Sequence, residues 1–185
     1  MRVIAGKARH IQLKTIETMD TRPTTDRIKE TLFNMLSNNI YEARFLDLFS
    51  GSGGIGIEAL SRGASEAVMV ENNPKAALCI NENLEKTKLK DSGRVFVCDV
   101  LAAIDKLNIE NKPFDYIFMD PPYNKDLERE VLQKLKGTSL VDEYTTIIVE
   151  ASLETGFDYL EDMGYKLIKC KKYKTNVHMF IEISA

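Results

Sequence analysis

Tryptophan is absent from the 185 residues, histidine occurs twice and cysteine three times. His10 and His178 lie far apart in sequence, so a zinc site or a histidine-based nucleophilic triad has little support. Cys79, Cys98 and Cys170 are odd in number, widely separated and include no C-x-x-C pair. They read as reduced, mostly structural thiols rather than metal ligands or disulfides. No apolar run approaches the ~20 residues needed to span a bilayer. The opening Met1-Arg2-Val3-Ile4-Ala5-Gly6-Lys7 lacks the hydrophobic stretch of a signal peptide. The expectation is a cytoplasmic protein with no metal and no membrane partner.

The hydrophobic fraction of 44% and charged fraction of 29% are those of an ordinary globular protein, long enough for one domain with a sizeable core. Net charge is −3 but unevenly spread. Residues 1–14 hold Arg2, Lys7, Arg9 and Lys14 with no acid, and Lys166, Lys169, Lys171, Lys172 and Lys174 form a second basic cluster. Local basic patches on a mildly acidic body are compatible with nucleic acid, and equally with a solvated charged face.

The most informative stretch is Phe45-Leu46-Asp47-Leu48-Phe49-Ser50-Gly51-Ser52-Gly53-Gly54-Ile55-Gly56. A short apolar run, glycines, then helix formers predict a buried strand, a tight loop and a helix start. Gly51, Gly53 and Gly56 fit G-x-G-x-x-G, in which glycine permits positive φ and close approach of a ligand. The next apolar run closes with Glu71, about where a ribose-binding carboxylate belongs in a nucleotide-binding βαβ unit.

Residues 2–14 alternate around Gly6-Lys7 and predict a small hairpin with basic side chains on one face. Too short for a core of its own, it should project from or lean on the main domain. Arg22-Pro23-Thr24-Thr25-Asp26-Arg27 then leads into a helix with Thr24 or Thr25 as N-cap and an apolar stripe of Ile28, Thr31, Leu32, Met35 and Leu36. From residue 45 strands (45–49, 66–70, 94–98, 114–119, 145–150) alternate with helices (54–62, 73–89, 100–108, 125–136), which means an α/β fold with a parallel sheet. Tyr165–Lys172 and Val177–Ile183, joined by Tyr173-Lys174-Thr175-Asn176, predict a closing antiparallel hairpin.

The fourth strand ends in Asp120-Pro121-Pro122-Tyr123. Ligands of open α/β sheets sit beyond the carboxyl ends of strands. Two prolines fix φ and remove N–H donors, leaving carbonyls free to accept. Asp120 adds an acceptor and Tyr123 a flat ring. Acceptors beside a stacking ring suit the exocyclic amine of a nucleobase, whose delocalised lone pair becomes available when its N–H bonds are directed at acceptors and it is held in line with an electrophile.

Asp47-Leu48-Phe49-Ser50-Gly51-Ser52-Gly53 with Asp120-Pro121-Pro122-Tyr123 resembles the class I S-adenosylmethionine-dependent methyltransferases of base amino nitrogens. Arg22 through Asn34 and Glu58-Ala59-Leu60-Ser61-Arg62-Gly63 narrow the likeness to the RsmD family, which methylates the N2 amino group of one guanine in bacterial small-subunit (16S) ribosomal RNA. The resemblance runs over nearly the whole chain. It implies a Rossmann-like, mostly parallel seven-stranded sheet with a C-terminal antiparallel hairpin. It also implies a division into an N-terminal basic β-hairpin extension (1–20) and a methyltransferase domain (21–185). S-adenosyl-L-methionine is the implied cofactor, and ribosomal RNA within a partly assembled small subunit the implied partner.

By position, Asp47, Gly51, Ser52 and Gly53 would hold the methionine portion of the cofactor. Glu71 would take the ribose with Asn72 beside it, and Asp99 the adenine amino group next to Val100. Arg22, Thr24 and Thr25 would close the site. Asp120, Pro121, Pro122 and Tyr123 would hold the guanine, and Arg2, Lys7, Arg9, His10 and Lys14 would grip RNA. The chain departs from the family at His10, where glycine is usual, at Ala8, where some members carry tryptophan, and at Tyr173-Lys174-Thr175-Asn176, where Tyr-Gly-x-Thr is usual. A dinucleotide-dependent oxidoreductase would fit the glycine loop but gives Asp-Pro-Pro-Tyr no task. Methylation of adenine N6 in DNA or another RNA, or of a protein amide, would keep the chemistry and change the substrate. A non-catalytic RNA-binding or assembly factor would leave Glu71 and Asp120 without purpose.

Overall fold

A computed structural model describes residues 1–16, 26–36, 39–122 and 126–184. The chain divides into two compact units, Met1–Asp99 and Val100–Ala185.

The first unit contains α1 (Asp26–Leu36), β1 (Arg44–Asp47), α2 (Gly54–Ser61), β2 (Glu66–Glu71), α3 (Pro74–Thr87) and β3 (Gly93–Val97). Parallel pairing sets Leu46 beside Val68 and Val70 beside Phe96, so β2 lies between β1 and β3. Phe45, Leu46, Ala67, Val68, Met69 and Ile57 are fully buried. A parallel strand covered on both faces is apolar at every position, which is why these runs were readable as continuous rather than alternating. Every residue of α2 is buried. Asn73 caps α3, its side chain accepting from Lys75 N at 3.0 Å, with Pro74 in the first turn.

The second unit contains α4 (Val100–Asn108), β4 (Tyr116–Met119), α5 (Leu127–Leu135), β5 (Thr146–Ser152), β6 (Tyr165–Lys172) and β7 (Asn176–Ile183). β4 pairs parallel with β5, β5 antiparallel with β7, and β7 antiparallel with β6. The chain therefore closes with the predicted hairpin, and its second strand inserts between β5 and its first. β6 is an edge strand on which all residues after Tyr165 are exposed. No helix among the described residues is long and apolar enough to cross a membrane.

Two expectations change. α1 buries Lys29, Leu32, Phe33 and Leu36; of the expected stripe Leu32 and Leu36 are buried, while Ile28, Thr31 and Met35 are only half-buried. The helix is rotated because Lys29 has a buried acidic partner, described below. The N-terminal segment forms a single antiparallel bridge, Arg2 with Gln12, rather than a ladder. It leans on the first unit closely, with Val3, Ala8 and Leu13 buried. The expected boundary between residues 20 and 21 and the Thr24 or Thr25 cap lie outside the described residues.

Candidate functional site

Three carboxylates follow from three adjacent strands of the first unit. Asp47 ends β1, Glu71 ends β2, and Asp99 comes two residues after β3. Asp47 pairs with Met69 and Glu71 with Val97, so the three leave the same end of their parallel strands, each two residues further along than the one before. The loop after β1 is folded by its own backbone. Ser50 N donates to Val70 O at 3.0 Å and Gly53 N to Ser50 O at 2.7 Å. Gly51 and Gly53 take φ of 53° and 82°, the left-handed region that favours glycine.

Glu71 ties this loop to α3. Its Oε2 accepts from Gly51 N at 2.8 Å and its Oε1 from Asn73 N at 2.8 Å. A carboxylate offers about four acceptor positions, so capacity remains for a ligand's hydroxyls. Asp47 lies beneath, 1% exposed, and its Oδ1 has no hydrogen-bond partner among the described residues. Burial raises its pKa to about 7, against the Gly56 and Phe49 N–H groups and the Ser50 hydroxyl, which favour the anion. Among the described residues nothing lies within 4 Å of where a side chain on Gly51 would begin. An unfulfilled acceptor, an open glycine and a partly engaged carboxylate fit a cofactor with a cationic end and a ribose. Ser52 is half-buried in the loop, Asn72 and Asp99 are exposed, and Val100 is buried at the start of α4.

The other flank of α2 holds the N-terminal arm. Glu58, fully buried, accepts from Ile4 N at 2.9 Å and Ala5 N at 3.0 Å. It also pairs with Lys29 Nζ at 3.2 Å and Arg62 Nε at 2.8 Å. Burial lowers the Lys29 pKa, and Glu58 opposes that shift. The Ser61 hydroxyl accepts from Ala8 N at 2.9 Å and donates to Ala5 O at 2.6 Å. Gly6, at φ 81°, approaches so closely that a Cβ would stand 1.8 Å from Ser61 O. Of the residues expected to grip RNA, Lys7, Arg9 and His10 are exposed around the arm's turn, His10 with φ 71°. Arg2 and Lys14 are also exposed, each paired with an acid: Asp26 at 3.2 Å and Glu82 at 2.6 Å.

In the second unit, Asp120 follows β4 directly, half-buried, with Pro121 buried and Pro122 exposed. Met119 stands beside Val149 of β5, so Asp120 leaves the strand next to Glu150. Glu150 anchors a buried polar cluster. Its Oε2 meets His178 Nε2 at 2.9 Å, Asn176 Nδ2 donates to its Oε1, and Tyr173 OH meets His178 Nδ1 at 3.3 Å. Arg22, Thr24, Thr25 and Tyr123 lie outside the described residues.

Sequence reasoning missed Glu58, Glu150 and Asn83. Asn83 is fully buried on α3. Its Nδ2 donates to Lys14 O and Ser52 O at 3.0 Å each, and its Oδ1 accepts from Lys14 N at 2.8 Å, stitching arm to glycine loop. The available signal was a polar residue on a helix's apolar face, which seldom persists unless it is hydrogen-bonded.

The family profile described as Conserved hypothetical protein 95, the RsmD family, matches residues 1–182. The chain belongs to this family. Among RsmD-family relatives, it is 41% identical over 145 residues to the YlbH protein of Bacillus subtilis, covering 78% of this chain and 75% of that protein. It is 33% identical over 156 residues to Ribosomal RNA small subunit methyltransferase D of Escherichia coli strain K12, covering 84% and 77%. The solved structure of the Escherichia coli yhhF protein superposes with a TM-score of 0.84 at 29% identity, over 100% of this chain and 98% of that one. The fold is that of the class I methyltransferases, seven strands, mostly parallel, with an antiparallel C-terminal pair.

Proposed function

We propose that this RsmD-family chain methylates the exocyclic N2 amino group of a guanine in small-subunit (16S) ribosomal RNA, using S-adenosyl-L-methionine, in the cytoplasm and on a partly assembled subunit. The observation that carries the cofactor half is the pair of carboxylates around the glycine loop: Glu71 bonded to Gly51 N, and Asp47 with one buried oxygen unpartnered among the described residues. The names of the relatives above support the substrate half.

In this reading Asp47 and the Gly51-Ser52-Gly53 loop take the methionine portion, Glu71 and Asn72 the ribose, and Asp99 with Val100 the adenine. Arg22, Thr24 and Thr25 close the site. The bound cofactor supplies a methyl group on a sulfonium, an electrophile with a good leaving group. Asp120, Pro121 and Pro122 direct acceptors at the guanine amine, and Tyr123 stacks on the base. Asp120 then stabilises positive charge as it develops on nitrogen, an interaction stronger in the transition state than before it. Residues 1–20 serve as the RNA-gripping arm of a domain spanning 21–185, through Arg2, Lys7, Arg9, His10 and Lys14.

The test is transfer of labelled methyl from S-adenosylmethionine to small-subunit ribosomal RNA, naked and partly assembled, followed by mapping of the product. N2-methylguanine at one position is expected. Label on adenine N6, or binding of NAD with no transfer, would contradict the reading.

A further inference from the structure

The second basic cluster is left unused by this account, and its position in the sheet is specific. β6 is antiparallel to β7, which is itself antiparallel to β5, so β6 runs in the same direction as β4 and β5. Its last residues therefore emerge at the edge where Asp120 leaves β4. Register makes the alignment closer still. Lys171 pairs with His178, His178 with Glu150, and Glu150 follows Val149, the partner of Met119. Asp120, Glu150, His178 and Lys171 thus form one row across four strands. At about 4.8 Å per strand, Lys171 stands roughly 14 Å along the edge from Asp120. Lys172 ends β6 and Lys174 occupies the turn beyond it.

We propose that Lys171, Lys172 and Lys174 form a docking track for the phosphate backbone of the RNA strand that flanks the target base. This rests on the function proposed above and extends it to a surface that the arm does not supply. Three observations carry it. All three lysines are exposed, and among the described residues none of them forms an ion pair. Their charge runs against a chain of net charge −3, so the complement is a polyanion. The turn carrying them is braced from below: Asn176 and His178 both bond to buried Glu150, and Tyr173 packs on His178 with ring centroids 4.9 Å apart. A hairpin fixed to the strand beside β4 can hold a backbone in constant register with Asp120, which a loose tail could not.

The test compares wild type with Lys171→Gln/Lys172→Gln/Lys174→Gln, the same three positions changed to Arg, and a control carrying Lys86→Gln and Lys106→Gln. The probes are naked small-subunit ribosomal RNA and partly assembled subunits. The readouts are methyl transfer, RNA affinity against salt, and S-adenosylmethionine binding by calorimetry. Each phosphate contact to a single strand contributes about 0.7 to the slope of log K against log salt. The Gln variant should lose about 2 from that slope and raise KM for RNA, with kcat at saturating RNA and cofactor affinity unchanged. The Arg variant and the control should keep the wild-type slope. Should the triple change impair folding, Lys174→Gln alone, outside the strand pairing, should lower the slope by about 0.7. An unchanged slope in the Gln variant overturns the proposal, including where the variant self-associates because the lysines only guarded a sheet edge. A defect confined to assembled subunits overturns it in favour of a protein contact. Failure of the wild type to methylate RNA would instead sink the function on which the proposal rests.

Discussion

Glu58, midway along α2, and Asp47, just ahead of the loop that starts the same helix, are both buried carboxylates, yet their surroundings are opposite. Glu58 is saturated, with two backbone N–H groups, a lysine and an arginine on its two oxygens. Asp47 keeps one oxygen with no partner among the described residues and is pushed by burial to a pKa of about 7. A buried carboxylate whose partners are all supplied by the chain is part of the architecture. One left partly unpaired, beside glycines that leave open space, is a place prepared for something the chain does not supply. In the proposed reading the arm flank of α2 is structural, and the loop end is the ligand side.

The largest expected effect is on the saturated side. Glu58→Ala strands Lys29 in the interior and frees the Ile4 and Ala5 N–H groups. Breaking a buried pair by removing one partner costs about 3–5 kcal/mol. Chemical denaturation should report that loss, and a variant within 1 kcal/mol of wild type (about the worth of a surface pair) would remove the contrast drawn here.

Asp47→Asn should act in the reverse sense. The folded-state pKa is raised from 3.8 to about 7, so between those values the folded protein holds a proton that the unfolded chain has released. Asp47 thus favours folding at low pH, and that contribution is lost as pH rises through 7, by at most about 4 kcal/mol at 1.36 kcal/mol per pKa unit. Asn, which cannot ionise, should raise Tm at pH 8 and change it little at pH 4, while weakening S-adenosylmethionine. The same linkage makes wild-type affinity for this cationic cofactor rise between pH 6 and 8, with proton release visible in buffers of different ionisation enthalpy. A flat pH profile would mean that no cation meets Asp47.

Glu71→Ala sharpens the ligand side further. It removes the acceptor of Gly51 N and Asn73 N along with the proposed ribose contact, for a loss of about 1–3 kcal/mol in cofactor binding. Calorimetry with unchanged affinity would misplace the ribose.

The strands and helices were legible because covered parallel strands write continuous apolar runs and glycines punctuate them. Most predicted bounds fall within one or two residues of those observed. Residues joined by tertiary pairing were not legible. Lys29 reads as a solvent-facing residue on α1 until Glu58, 29 positions later, is known to be its partner, and so the apolar stripe was set on a neighbouring face. The arm's alternation was visible, but its attachment depends on Ser61 and Glu58 reaching backbone more than 50 residues away. Glu150 and His178 looked like ordinary strand residues, and only register sets them beside Asp120. The turn at the glycine loop and the strand end before Asp120 were legible because their sequence signals are local.

The central claim of the proposed function is that Asp120 activates the base and takes no part in binding the cofactor. Asp120→Asn keeps size and replaces the anion with an amide that can present a donor. Single-turnover methyl transfer to small-subunit ribosomal RNA, measured with S-adenosylmethionine affinity on the same preparation, should show the rate falling by about 10²–10³ with affinity unchanged. Wild-type turnover in Asp120→Asn, or loss of cofactor binding in its place, would contradict the account.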